Sequence, residues 1–147
     1  MIPVNQTIVD KGKGTCMQAV LASLFETDLD STINPIDFQE TGWHIPFMDW
    51  VESNTKYQYG GVINAHDEKE LTYEALLSLF AVKGHFYAVV PSKNFEGVTH
   101  AVIIDRSGVI VHDPDPSKKW LGINPVETGE LEYIYLFEPT DGFVYDR

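Results

Sequence analysis

Gly14-Thr15-Cys16-Met17-Gln18-Ala19-Val20-Leu21-Ala22-Ser23-Leu24-Phe25 is the stretch around which the rest of the chain is organised, and it holds the protein's only cysteine. Met17, Val20, Leu21 and Leu24 recur at the i, i+3, i+4, i+7 spacing of an apolar helix face, which predicts a core helix running to about Glu26. Thr15 followed by Gln18 has the form of a capping box, with the hydroxyl accepting from the third helical amide and the glutamine reaching back. Cys16 then falls on the first helical position. A helix N-terminus carries about half a positive charge and unpaired amides, which favour a thiolate and supply donors to a developing oxyanion. A lone cysteine is more often a small buried hydrophobe, so partner residues must decide whether this one is a nucleophile.

Working outward, residues 1–13 read as an irregular arm ending in Asp10-Lys11-Gly12-Lys13-Gly14, whose glycines permit close backbone approach. That loop lacks the eight-residue frame and terminal Lys-Ser/Thr of a phosphate-binding loop. Asp28 to Glu40 reads as a loop with a short helical turn near Ile36 to Glu40. Phe47, Trp50 and Val51 behind Pro46 mark a second helix over 46–54, its aromatic stripe read as core. Tyr57 to Asn64, with Gly60-Gly61, reads as a short strand or irregular edge. A third helix is predicted over 68–80, with Leu71, Ala75, Leu76, Leu79 and Phe80 on one side.

From residue 84 the pattern becomes that of strands: His85 to Val90, Val98 to Ile104, Val109 to Asp113, and a last, interior strand from Leu131 to Glu138. Helices first and an antiparallel sheet after give an α+β domain spanning 1–147. Asp105-Arg106-Ser107-Gly108 turns one strand into the next. If that turn is tight, Ile104 faces Val109, Val102 faces Val111 and His100 faces Asp113. Directly opposed side chains share a sheet face with Cβ atoms about 4.5 to 5.5 Å apart, so Asp113 would hold the His100 imidazole, and His112 would point the other way. A bulge or longer turn would put Asp115 in that place instead. A thiol on a helix start, a histidine on a strand and a carboxylate on the next strand form a three-part activated nucleophile.

Composition narrows the partners. The chain has 147 residues, of which 44% are hydrophobic, enough for one domain that buries about two thirds of its unfolded surface. A single cysteine excludes an internal disulfide. Twenty-two acidic against ten basic residues, a formal charge of −12, oppose a phosphate-tracking nucleic-acid binder or an anionic-membrane binder. No apolar run approaches a membrane span, and the start lacks a signal-peptide pattern, so a cytoplasmic location is expected. His44, His66, His85, His100 and His112 show no metal-ligand spacing, and no metal or cofactor is expected. His85 is a second candidate base in the cleft, His66 and His112 are read as surface residues, and Trp43, His44 and Trp120 sit in loops as core or groove residues.

With these residues in place, the order Cys, His, Asp resembles the papain-like cysteine peptidases. It is most similar to bacterial peptidases that remove double-glycine leaders and to small relatives in bacteria and tailed bacteriophages. The resemblance rests on Gly14 to Ala19, His100 to Ile103 and Val111 to Pro114. It implies N-terminal helices packed on an antiparallel sheet, and an enzyme that cleaves an amide bond in a peptide or protein substrate through Cys16, His100 and Asp113. The family places a glutamine before the cysteine to complete the oxyanion hole. Gln6 is the candidate here, with Asn5 as a further one, and Gln18 is taken up by the cap. The same fold also hosts transglutaminases, acyltransferases and inactive binding proteins, which leaves hydrolysis, acyl transfer to an amine and host-protein binding as alternatives.

Overall fold

The computed structural model describes residues 1–8, 15–34, 44–66 and 71–141. Among them the elements run α1 (Cys16–Leu24), α2 (His44–Asn54), β1 (Tyr57–Asn64), α3 (Tyr73–Ser78), β2 (His85–Pro91), β3 (Thr99–Asp105), β4 (Ile110–His112), α4 (Pro125–Thr128) and β5 (Tyr133–Pro139). The five strands form one sheet in the order β1-β5-β2-β3-β4, with every pairing antiparallel. This is the mixed helix-and-sheet architecture expected from the change of period at residue 84. The loop at 9–14, the turn expected at 36–40 and Trp43 lie outside the described residues, as does the start of the helix expected at 68–80.

Strand alternation sends two sets of side chains to opposite faces of the sheet. Tyr87, Val89, Ala101, Ile103, Tyr135 and Phe137 join Val20, Leu21 and Leu24 of α1 and Phe47 and Val51 of α2 in one buried cluster. Phe86, Ala88, Val90, Val102, Ile104 and Ile134 join Leu76 of α3 and Trp120 in a second. The sheet is therefore covered on both sides, and the long apolar runs in β2 and β3 follow from that. β5 lies between β1 and β2, which accounts for its weak alternation. β1 carries a bulge between Tyr59 and Gly61, where Gly61 takes φ +125°.

Several local expectations change. The capping box does not form: Thr15 makes no side-chain cap. Its hydroxyl instead accepts from the Thr7 and Ile8 amides at 3.0 and 3.3 Å, while Gln18 donates to the Leu29 and Thr32 carbonyls at 2.8 and 2.9 Å. Both side chains meet a stronger demand for partners from neighbouring loop backbone than from the helix end. The described part of the third helix is only Tyr73–Ser78, because Leu79 is already extended at ψ 152°, and Phe80 is exposed. The four-residue α4 was not anticipated, although Asn124, Pro125 and Gly129 supply its N-cap, its first-turn proline and its left-handed C-cap.

The β3–β4 hairpin has a different register from the tight-turn expectation. Ile104 pairs with Ile110, not Val109, and Ile103 pairs with His112 across a bulge. The turn is one residue longer because the Asp105 carboxylate gathers the Ser107 and Val109 amides at 2.9 and 3.2 Å, and Gly108 completes it at φ +87°. Two successive one-residue shifts restore the original parity. Asp113 thus returns to the face that His100 occupies, but as a diagonal neighbour; directly opposed Cβ atoms would be closer than the diagonal separation of about 7 to 8 Å.

Candidate functional site

α1 begins at Cys16 and packs on β2 and β3, so its N-terminus lies over the end of the sheet where β3 starts. Cys16 is half-buried. The amides of the first helical turn have no partner within the helix, as in any α-helix. His100 sits one residue into β3, opposite Val90, with its side chain 11% exposed. Its Nε2 lies 2.7 Å from Asp113 Oδ1, and the Cys16 side chain stands close enough to act on the charge of the imidazole. With Nε2 taken by Asp113, Nδ1 is the ring nitrogen left for the thiol. The structure thus brings together Cys16, His100 and Asp113.

Asp113 is 1% exposed and its carboxylate is held on three sides. Oδ1 accepts from His100 and from the Asp115 amide at 3.0 Å, while Oδ2 accepts from the Trp120 amide at 3.0 Å. Trp120 is itself buried and anchored by its indole N–H to the Pro91 carbonyl at 2.9 Å. Asp115, the alternative orienting residue, instead accepts from the Ser117 amide at 2.8 Å and from the Asn94 side chain.

The electrostatics follow from this arrangement. Burial opposes charge on His100, but Asp113 and Cys16 outweigh it and raise the imidazole to about 9. Burial likewise opposes charge on Asp113, yet the His100 hydrogen bond and the two amides hold the carboxyl below its ordinary value. A histidine raised from its ordinary 6.5 to about 9 stabilises the fold fully below pH 6.5 and loses that contribution as pH climbs to 9. Urea denaturation at pH 6 and pH 9 should therefore show wild type losing on the order of 3 kcal/mol more than His100→Ala. Equal losses would mean that the imidazole is not held as a cation.

Gln6 arrives along the N-terminal arm. The Val4 amide donates to Ser23 Oγ at 2.8 Å, His112 Nε2 donates to the Val4 carbonyl at 2.8 Å, and the Gln6 amide donates to the Pro114 carbonyl at 2.9 Å. Gln6 is buried, and its Nε2 donates to the Ile8 carbonyl at 2.8 Å, which also accepts from the Thr15 amide at 3.2 Å. The carboxamide is therefore tied to the residue preceding Cys16, with one Nε2 hydrogen committed. Asn5 accepts from Lys118 Nζ, which also donates to the Asp113 carbonyl at 2.6 Å.

The other histidines sort differently from the expectation. His85 pairs with Asp105 at the far end of β2 from Val90, roughly 17 Å along the strand from the level of His100, so it does not share the cleft. His112 is buried, not a surface residue, because the arm covers it; burial pushes its imidazole below the ordinary value. His66 is exposed beside Glu132. Among the described residues no three of His, Cys, Asp and Glu converge as a metal site.

Sequence reading passed over a group of tyrosines on the helix-facing side of the sheet. Tyr59, Tyr87, Tyr133 and Tyr135 pack ring to ring, with Tyr135 4.9 Å from Tyr87 and 5.4 Å from Tyr133 between centroids. Cys16 and Tyr133 both border the same buried cluster. The two-residue spacing of Tyr133 and Tyr135 in β5 was the available signal, since alternate residues share a face. Among the described residues no helix is long and apolar enough to cross a membrane. No protein-family model matches the chain, and neither does any curated protein or any solved structure.

Proposed function

We propose that the protein is a papain-like thiol enzyme that transfers an acyl group from an amide to water, a peptidase or amidase acting on a peptide or protein substrate. The observation that carries this reading is the His100 imidazole bonded to a buried carboxylate that accepts three hydrogen bonds, beside a half-buried thiol at a helix start. An inert core cysteine needs no such partner, and the buried Asp113 would be costly without one.

In the proposed reaction His100 Nδ1 accepts the Cys16 proton and the sulfur attacks the amide carbonyl carbon. The C–S bond forms as the carbonyl π pair moves to oxygen. First-turn amides of α1 stand where they can donate to that oxyanion, with the remaining Gln6 Nε2 hydrogen as a further donor. Collapse breaks the C–N bond, and His100 returns the proton to the leaving amine. Water, deprotonated by His100, then attacks the thioester, releasing a carboxylic acid and restoring the thiol. Asp113 stays ionised and orients the ring throughout.

The test uses 4-nitrophenyl acetate as the acyl donor. Intact mass should show one acetyl group on the wild type, lost again on standing, and none on Cys16→Ala. An enzyme that never acetylates at Cys16 while remaining folded would sink the reading and leave a binding role for the same scaffold.

A further inference from the structure

Three of the chain's ten basic residues gather around the segment that holds His100. Lys118 Nζ donates to the Asp113 carbonyl at 2.6 Å and to the Asn5 side chain. Lys119 Nζ donates to Asn94 Oδ1 at 2.6 Å. Lys93 Nζ lies 4.2 Å from the centre of the Trp120 ring, and the Trp120 amide bonds the Asp113 carboxylate at 3.0 Å. None of the three forms an ion pair among the described residues, whereas Lys83 meets Glu26 at 2.8 Å. Neutral acceptors and a ring face hold these ammoniums, so their charge is left uncompensated in a chain of formal charge −12.

Their place in the fold follows from the sheet register. Val90 pairs with His100 and Pro91 with Thr99, so residues 92–98 close the β2–β3 hairpin at the end where His100 sits. Ser92 fixes that loop: its hydroxyl accepts from the Asn94 and Phe95 amides, both at 3.1 Å. The Asn94 carboxamide then donates to the buried Asp115 while accepting from Lys119, and the Trp120 indole donates to the Pro91 carbonyl at 2.9 Å. Loop and 113–120 segment thus hold one another, and Asp115 serves as the anchor of this arrangement. Lys93 and Lys119 are exposed above buried anchors, Trp120 and Asp115. An ammonium has three donors; Lys119 spends one on Asn94, and Lys93 spends none among the described residues. The Asp113 and Asp115 carboxylates are turned inward onto His100, backbone amides and Asn94, and the exposed Glu96 of the loop forms no ion pair with the lysines.

We propose that Lys93 and Lys119 are specificity-determining residues that select a substrate with an acidic residue on the leaving-amine side of the scissile bond, with Lys118 adding to their field. The proposal rests on the acyl-transfer reading above. His100 returns its proton to the leaving amine, so the departing half of the substrate lies on the His100 side of the sulfur, where these lysines are fixed. A carboxylate there meets two ammoniums already oriented by Asn94 and Trp120, which lowers the cost of ordering them on binding.

The experiment compares two acetyl esters that differ only in the leaving group. 4-Nitrophenyl acetate releases a phenol without a carboxylate, and 5-acetoxy-2-nitrobenzoate releases the same phenol bearing one. Acetylation of Cys16 is followed by intact mass in the wild type and in Lys93→Gln/Lys119→Gln. The rate ratio of the carboxylated to the plain ester should fall roughly 10-fold in the double variant, the scale of two partly screened charges near a protein surface. The plain ester should react at the wild-type rate, which also shows that fold and thiol are intact. Lys93→Glu/Lys119→Glu should lower the ratio further. An unchanged ratio in both variants overturns the proposal and leaves the acyl-transfer reading standing. Equal slowing of both esters also overturns it, since the lysines would then act on the thiol or the fold. Absence of acetylation by either ester in the wild type removes both.

Discussion

His100→Ala is expected to lower the alkylation rate of Cys16 by iodoacetamide at pH 6 by roughly 100-fold while leaving the fold intact. The imidazole is held as a cation up to about 9 because Asp113 and Cys16 outweigh the burial that opposes its charge. Below that pH a positive ring stands beside the sulfur and attracts the negative charge that the alkylation needs there. Without the ring that attraction is absent, and an ordinary thiol, with a pKa near 8.5, is only about 0.3% thiolate at pH 6. The gain is smaller than the thiolate fraction alone implies, since a less basic sulfur is also a weaker nucleophile. The two profiles should converge above pH 9, where His100 loses its proton. A wild-type rate that rises only near pH 8.5, parallel to the variant, would mean that the thiol and the imidazole are neighbours without being partners. Intact mass is a sufficient readout because the chain has one cysteine.

Asp113→Ala is expected to cost stability and activity together, with about 3 to 5 kcal/mol lost in urea denaturation. The carboxylate is 1% exposed, and its removal strands the His100 ring N–H and the Asp115 and Trp120 amides in a site that water does not reach. Asp113→Asn should cost less, about 1 to 3 kcal/mol, because an amide can accept on one side but meets a backbone N–H with its own NH2 on the other. The lowered Asp113 carboxyl adds a pH signature: its contribution is present above the ordinary carboxylate range and is lost as pH falls below that range through the lowered value. Asp115→Asn should be far milder, since Asp115 bonds the Ser117 amide and Asn94 and does not touch His100. Equal losses for the two aspartates would contradict the assignment of Asp113 as the residue that holds the ring.

Much of the helix layer was legible in the chain. The Met17-Val20-Leu21-Leu24 spacing is a local property, because a 3.6-residue period needs only one apolar face to reveal itself. Phe47 and Val51 are fully buried for the same reason. The strands from His85 onward were visible in alternation and in their bounding turns. Hydrogen-bond partners were not legible. Thr15 and Gln18 match a capping pattern, yet the Thr7 and Ile8 amides claim one and the Leu29 and Thr32 carbonyls the other, and those partners come from segments eight or more residues away for the Thr7 amide and the two carbonyls. His112 looks like a strand-end surface residue until the N-terminal arm lies over it.

By itself, then, the sequence determined which residues carry chemistry: one cysteine at the start of an apolar-faced helix, a histidine on a strand, and aspartates just beyond the next. These follow from periodicity and turn chemistry, which act over a few residues. Only the tertiary structure decided that Asp113 and not Asp115 holds His100. That choice rests on partners from other segments: the Asp115 and Trp120 amides hold the Asp113 carboxylate against His100, while the Ser117 amide and the Asn94 side chain occupy Asp115. That Tyr133 and Cys16 border one buried cluster was likewise set by strand order, because β5 enters the sheet between β1 and β2 and is far from Cys16 in the chain. Long-range pairing of this kind leaves no periodic mark on the residues it joins.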